Sequence, residues 1–153
     1  MLKELNQVTI GILGGIGPES SAKFYYNLIK GIQENFDIYS TNDFPHIMLN
    51  NIAIKDMIDT DIQNSEIAPI LKGLLELDHF KPDFNVIICN SANSFYNYLS
   101  LNTSTEILDL RSIVKQYLVK KQIKKIGVLG TYTTQKKLYN YADIDILTLP
   151  NNL

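Results

Sequence analysis

The sequence predicts an α/β protein, a parallel sheet with helices on both faces. Short runs rich in Ile and Val recur along the chain, at Val8–Leu13, Val86–Ile88 and Ile123–Leu129. Stretches with apolar residues at helical spacing lie between them. The first run stops at Gly14-Gly15-Ile16-Gly17-Pro18, a tight turn that ends in a helix-starting proline. Strands covered on both faces read as near-continuous apolar runs, and alternation of such runs with amphipathic helices is the mark of βαβ units.

Taken in order, Val8–Leu13 is the first strand. Pro18 suits the first helical position, and Glu19 complements the helix dipole in the first turn. Ala22, Tyr25, Tyr26, Ile29, Ile32 and Phe36 then recur at helical spacing. Pro45 starts a second strand, His46–Asn51. A second helix is expected from about Asn64 to Phe80, with Ile67, Ile70, Leu71, Leu74 and Leu77 as its apolar stripe. Pro69 lies near its start and Pro82 just past its end. Asp83-Phe84-Asn85 leads into a third strand ending at Cys89. A third helix begins near Ser91–Ser94, any of which can cap it, and turns Phe95, Tyr98 and Leu99 inward.

Beyond this point Glu106–Leu110 reads as a short strand, and Ile113, Val114, Tyr117 and Leu118 as a helical face. Ile123–Leu129 is a strand ending in Gly130-Thr131, followed by a short helix containing Leu138 and Tyr139. Ile144–Leu149 is the last strand before Asn152-Leu153. Ile123–Thr131 echoes Thr9–Gly17 in its strand-then-glycine form. Residues 1–105 are therefore expected to form an N-terminal lobe carrying Cys89, and residues 106–153 part of a second α/β lobe.

At 153 residues and 45% apolar content the chain can bury a real core. A formal charge of −2 gives no electrostatic case for nucleic acid or an anionic membrane, and Lys120-Lys121 with Lys124-Lys125 read as a solvated helix end. The single cysteine excludes an internal disulfide. No apolar run approaches the roughly 20 residues that cross a bilayer. Lys3 precedes the apolar run from Val8, but Glu4 and the glycine turn spoil a leader pattern, so a cytoplasmic protein is expected.

Ligands of parallel sheets gather at the carboxyl ends of strands. Four candidates lie there: the turn Gly14–Pro18, the pair Asn50-Asn51, Cys89-Asn90-Ser91, and Thr131–Thr134. The turn is a poor dinucleotide fingerprint, because Ser20 stands for the third glycine and Asn50-Asn51 for the acidic ribose partner. It reads better as a turn that binds a small carboxylate or simply packs. A free cysteine at a strand end is commonly core. Asn90, Ser91 and Asn93 are poor core residues, however, and a helix starting beyond them would favour a thiolate. Helix capping is the bland account of the same polar groups. His46 and His79 have no companion ligands at metal spacing, so no metal site is expected. Arg111, the one arginine, defaults to surface duty.

Gly11-Ile12-Leu13-Gly14-Gly15-Ile16-Gly17-Pro18-Glu19 resembles the opening motif of the cofactor-independent aspartate/glutamate racemase family, especially its aspartate racemase branch. Cys89-Asn90-Ser91-Ala92-Asn93 resembles that family's first catalytic cysteine motif, commonly Cys-Asn-Thr-Ala-His. Lys125-Ile126-Gly127-Val128-Leu129-Gly130-Thr131 with Thr134 resembles the start of its second lobe. The similarity runs from about Val8 to the C-terminus in family order. It implies the first lobe of a two-lobed fold plus an incomplete second lobe, and inversion of an amino acid's α-carbon without any cofactor. One thiolate would remove the α-proton and a second thiol would return one from the other face. On this resemblance Cys89 is the first base, and Gly15, Ile16, Asn51, Asn90, Ser91, Thr131 and Thr134 line the substrate site. The family's second cysteine, in a Gly-Cys-Thr motif, has no counterpart here, so the chain looks C-terminally truncated and little racemisation is expected of it. The family's selectivity arginine aligns with Met57, and Lys55 offers only a point charge.

Two rival readings stand beside this one. A cysteine-dependent hydrolase or lyase would need His46 or His79 as base. A non-catalytic small-ligand binding or assembly protein would leave Cys89 structural. An uncovered second lobe predicts self-association, so a homo-oligomer is expected, with a small amino acid as the other partner.

Overall fold

A computed structural model describes residues 4–58, 62 and 64–148. Lys3, Leu149 and Asn152-Leu153 lie outside the described residues. The strands are β1 (Thr9–Gly14), β2 (His46–Asn51), β3 (Phe84–Ile87), β4 (Lys125–Val128) and β5 (Asp145–Thr148). The helices are α1 (Pro18–Phe36), α2 (Asn64–Asp78), α3 (Asn90–Asn93), α4 (Tyr96–Leu101) and α5 (Leu110–Lys120). A π-helical turn covers Thr134–Leu138. The molecule is thus of mixed α/β class, and among the described residues every strand pairing is parallel.

β1 is central in a three-stranded sheet of order β2-β1-β3, and β4 and β5 form a second sheet. Ile10 pairs with Ile47 on one side and Phe84 on the other; Leu13 pairs with Asn50 and Ile87. Centrality explains the composition of β1, in which Ile10 through Gly14 are all buried. Gly11 is bare for a different reason: a Cβ there would run into the Asn85 carboxamide across the sheet. The main core lies between this sheet and α2, where Ile67, Ile70, Leu74 and Leu77 pack with Leu13, Ile87, Leu99 and Ile107. A smaller cluster of Leu118, Tyr141 and Ile144 lies under β4 and β5.

The structure departs from the sequence pattern at several points. In α1 the buried residues are Ser21 and Ile32, while Ala22, Tyr25, Tyr26 and Phe36 are exposed. The inward face is rotated from the apolar stripe because Ser21 is held inside by its hydroxyl. That hydroxyl accepts from Gly15 N–H at 2.9 Å and donates to the Gly17 carbonyl at 3.1 Å. Glu106–Leu110 is no strand, only a single parallel bridge from Ile107 to Asn85, and α5 already begins at Leu110. Tyr98 is exposed, while Leu99 is fully buried. β3 ends at Ile87, two residues before Cys89, and Tyr139 falls just outside the π-helical turn.

Candidate active site

The carboxyl ends of β1, β3 and β4 open onto one cavity of about 430 Å³. Ile16 and Ser20 come from the turn and first helical residues after β1, and Phe24 from the next turn of α1. Val86 through Ser91 line it from β3 and beyond. Leu110 enters from the start of α5, and Gly130, Thr131 and Thr134 from the segment after β4. Six of the residues singled out in the sequence therefore meet here: Ile16, Cys89, Asn90, Ser91, Thr131 and Thr134. Ser20 was weighed only as a departure from a dinucleotide fingerprint, and Phe24, Leu110, Gly130 and the strand residues Val86, Ile87 and Ile88 were not singled out, because each sits where a single sequence suggests only strand, helix or turn.

Gly15 and Asn51 are not among the lining residues. Gly15 builds the turn instead: its φ is +92°, and a Cβ would collide with the Ile52 backbone. Asn51 is exposed at the end of the edge strand β2. Asn50 spends its amide on helix α2, donating to the Gly73 carbonyl at 3.0 Å and to Glu76 Oε2 at 2.9 Å.

Cys89 is the N-cap of α3, with extended backbone at φ −165°, ψ 121°. Its sulfur accepts the Ala92 N–H at 3.4 Å. Asn93 fixes the backbone around it, donating from Nδ2 to the Ile87 carbonyl at 3.0 Å and to the Cys89 carbonyl at 2.8 Å. Burial pushes the Cys89 thiol above its ordinary pKa, against the downward pull of the Ala92 and Ser91 N–H groups. The expected helix-dipole help is weak because α3 is only 4 residues long. The free protein therefore holds a thiol there.

The same cavity is lined by a triangle of hydroxyls. Ser91 Oγ is 2.8 Å from Thr131 Oγ1 and 3.3 Å from Thr134 Oγ1. Thr131 donates to Thr134 Oγ1 at 3.1 Å, and the Thr134 N–H donates to Thr131 Oγ1 at 3.2 Å. The triangle joins the segment after β3 to the segment after β4.

The charged candidates lie elsewhere. Arg111 is bound to Asp109 through Nε at 2.9 Å and Nη2 at 3.1 Å, donates to Asn97 at 3.0 Å, and stacks over Tyr96. Lys55 pairs with Glu66 at 3.5 Å, and Met57 is buried in the main core. His46 opens β2, at the end of the sheet opposite Cys89. His79 is exposed beyond the end of α2, with Nδ1 2.8 Å from the Leu75 carbonyl. Neither histidine lines the cavity, so a Cys–His nucleophile pair has no base within it. Among the described residues no cluster of His, Cys, Asp and Glu could hold a metal ion. Nor is any helix among them long and apolar enough to cross a membrane.

Residues 13–142 match the model of the Asp/Glu/hydantoin racemase family. The chain belongs to that family. The broad specificity amino-acid racemase RacX of Bacillus subtilis (strain 168) is 29% identical over 133 residues, which cover 85% of this chain and 58% of RacX. An aspartate racemase homologue from Pyrococcus horikoshii OT3 superposes with a TM-score of 0.71 at 16% identity, over 94% of this chain and 65% of that one. The Picrophilus torridus aspartate racemase gives a TM-score of 0.71 at 23% identity, over 92% and 62%. The chain thus spans about three-fifths of these racemase-family relatives, and the structural likeness supports the same parallel α/β fold.

Proposed function

We propose that this chain carries the proton-abstracting half of an amino-acid racemase site, in which Cys89 removes the α-proton without any cofactor. One observation carries the reading: the only thiol of the chain lines a cavity whose other polar lining includes Asn90 and the hydroxyls of Ser91, Thr131 and Thr134. The thiolate would take the proton from Cα, and the electron pair of the broken C–H bond would pass into the α-carboxylate. Hydroxyl and carboxamide donors aimed at those oxygens would stabilise the charge that develops there. The substrate's own ammonium group, brought next to the sulfur, favours the thiolate over the thiol and so offsets the burial. Reprotonation by the same sulfur retains configuration; inversion needs a donor on the other face. With one thiol in its sequence, this chain is expected to exchange the α-proton without inverting the centre.

We also place the protein in the cytoplasm as a self-associating chain, with lobe boundaries at residues 1–105 and 106–153. The experiment is incubation of amino-acid enantiomers with acidic, basic and apolar side chains in heavy water, following the α-proton by NMR and chirality by chromatography. The expected outcome is deuterium at Cα with retention, at a rate that climbs with pH as the thiol ionises. Cys89→Ala should lower that rate by about 10²–10⁴-fold, the usual worth of a general base. Exchange undiminished in Cys89→Ala, or rapid inversion by the wild-type chain, would overturn the mechanism.

A further inference from the structure

Among the described residues, those that line the cavity beside Cys89 carry no formal charge while its thiol is protonated. Its lining comprises six apolar side chains (Ile16, Phe24, Val86, Ile87, Ile88 and Leu110), the cysteine, one glycine, and uncharged Ser, Thr and Asn residues. Two cations of the chain are engaged elsewhere: Arg111 is chelated by Asp109, and Lys55 is paired with Glu66. Lys136, on the π-helical turn that carries Thr134, donates to Thr148 on β5 at 3.3 Å. An ion moved from water into an uncharged cavity loses hydration that only an opposite charge can replace. An amino-acid zwitterion has no net charge. A carboxylate or ammonium in its side chain leaves one charge over.

From this we infer that the site selects amino acids with uncharged, apolar side chains, such as leucine or methionine, over aspartate, glutamate and lysine. The inference rests on the proposed reading of the cavity as an amino-acid site and names its substrate class. The α-carboxylate would take the hydroxyls and the Asn90 carboxamide, and the side chain would lie against Phe24, Leu110 and Ile16. A volume of about 430 Å³ falls within the usual range for a small-ligand site and leaves room for a branched or thioether side chain.

Protection of Cys89 tests this separately from catalysis. The wild-type chain is treated with iodoacetamide, an uncharged alkylating reagent, and modification is followed by mass spectrometry with leucine, methionine, aspartate, glutamate or lysine at equal concentrations. Leucine and methionine are expected to protect at concentrations at least tenfold lower than the three charged amino acids need. Ser20 is exposed and lines the cavity, so Ser20→Lys introduces a cation without disturbing the core. That variant is expected to narrow the gap between aspartate and leucine at least tenfold. Protection by aspartate or glutamate as strong as by leucine, or protection by none, would overturn the inference. Protection by leucine with no α-proton exchange would instead overturn the proton-abstraction mechanism and leave the ligand class standing.

Discussion

At the scale of single residues, Cys89 packs against the main core while a neighbour holds its backbone. Asn93 is buried, and its amide bridges the carbonyls of Ile87 and Cys89, which fixes the bend where the strand path turns into α3. Removing it leaves buried acceptors without that donor, at about 1–3 kcal/mol. Asn93→Ala is therefore expected to lower unfolding stability by that amount in urea titration and to slow α-proton exchange, because the sulfur loses its fixed direction. Unchanged exchange in a destabilised variant would confine Asn93 to a structural part. Cys89, Ser91, Thr131 and Thr134 were legible in the sequence because small polar residues stood where apolar strands ended. Phe24 and Leu110 were not, since an apolar residue on a helix looks the same whether it faces the core or a cavity. Ser21 was missed for the converse reason: a buried serine that satisfies its hydroxyl locally leaves no hydrophobic signal.

At the scale of elements, the loop after α4 is tied to the end of α2 by one carboxylate. Asp78 Oδ2 accepts from the Ser104 N–H at 2.8 Å and the Ser104 hydroxyl at 2.9 Å, while Oδ1 receives the Asn85 amide at 3.3 Å. Burial alone would raise the Asp78 pKa, but the hydrogen bonds from Ser104 and Thr105 together hold it below the usual carboxylate value. A depressed carboxyl pKa stabilises the fold above the unfolded value of about 3.9, and that contribution is lost as pH falls through the folded value. Asp78→Ala should cost about 1–2 kcal/mol near neutrality. The gap from wild type should close below about pH 4 in acid titrations followed by circular dichroism. A gap that persists in acid would show that the carboxylate's charge is irrelevant. Most elements were legible to within a few residues because β1, α2 and β3 carry strong apolar patterns. Glu106–Leu110 misled because Ile107 alone enters the core, so one inward residue looked like a strand.

At the scale of the molecule, one sheet is well covered and the other is sparse. Among the described residues, β4 and β5 have only each other as strand partners. Large apolar side chains stand exposed nearby and elsewhere: Leu129 at 77%, Leu101 at 85% and Tyr39 at 73%. Open strand edges and bare apolar surface favour pairing with another chain. Sedimentation velocity is expected to show dimers or larger species growing with concentration; a single monomeric species at every concentration would refute this. The segments that follow β3 and β4 are joined by the three hydroxyls of Ser91, Thr131 and Thr134, which hydrogen-bond to one another. A carboxylate arriving there must recruit donors already committed to that seam. Occupancy and cohesion of the two halves are then opposed: each bond given to a guest is one withdrawn from the stitch that closes the molecule.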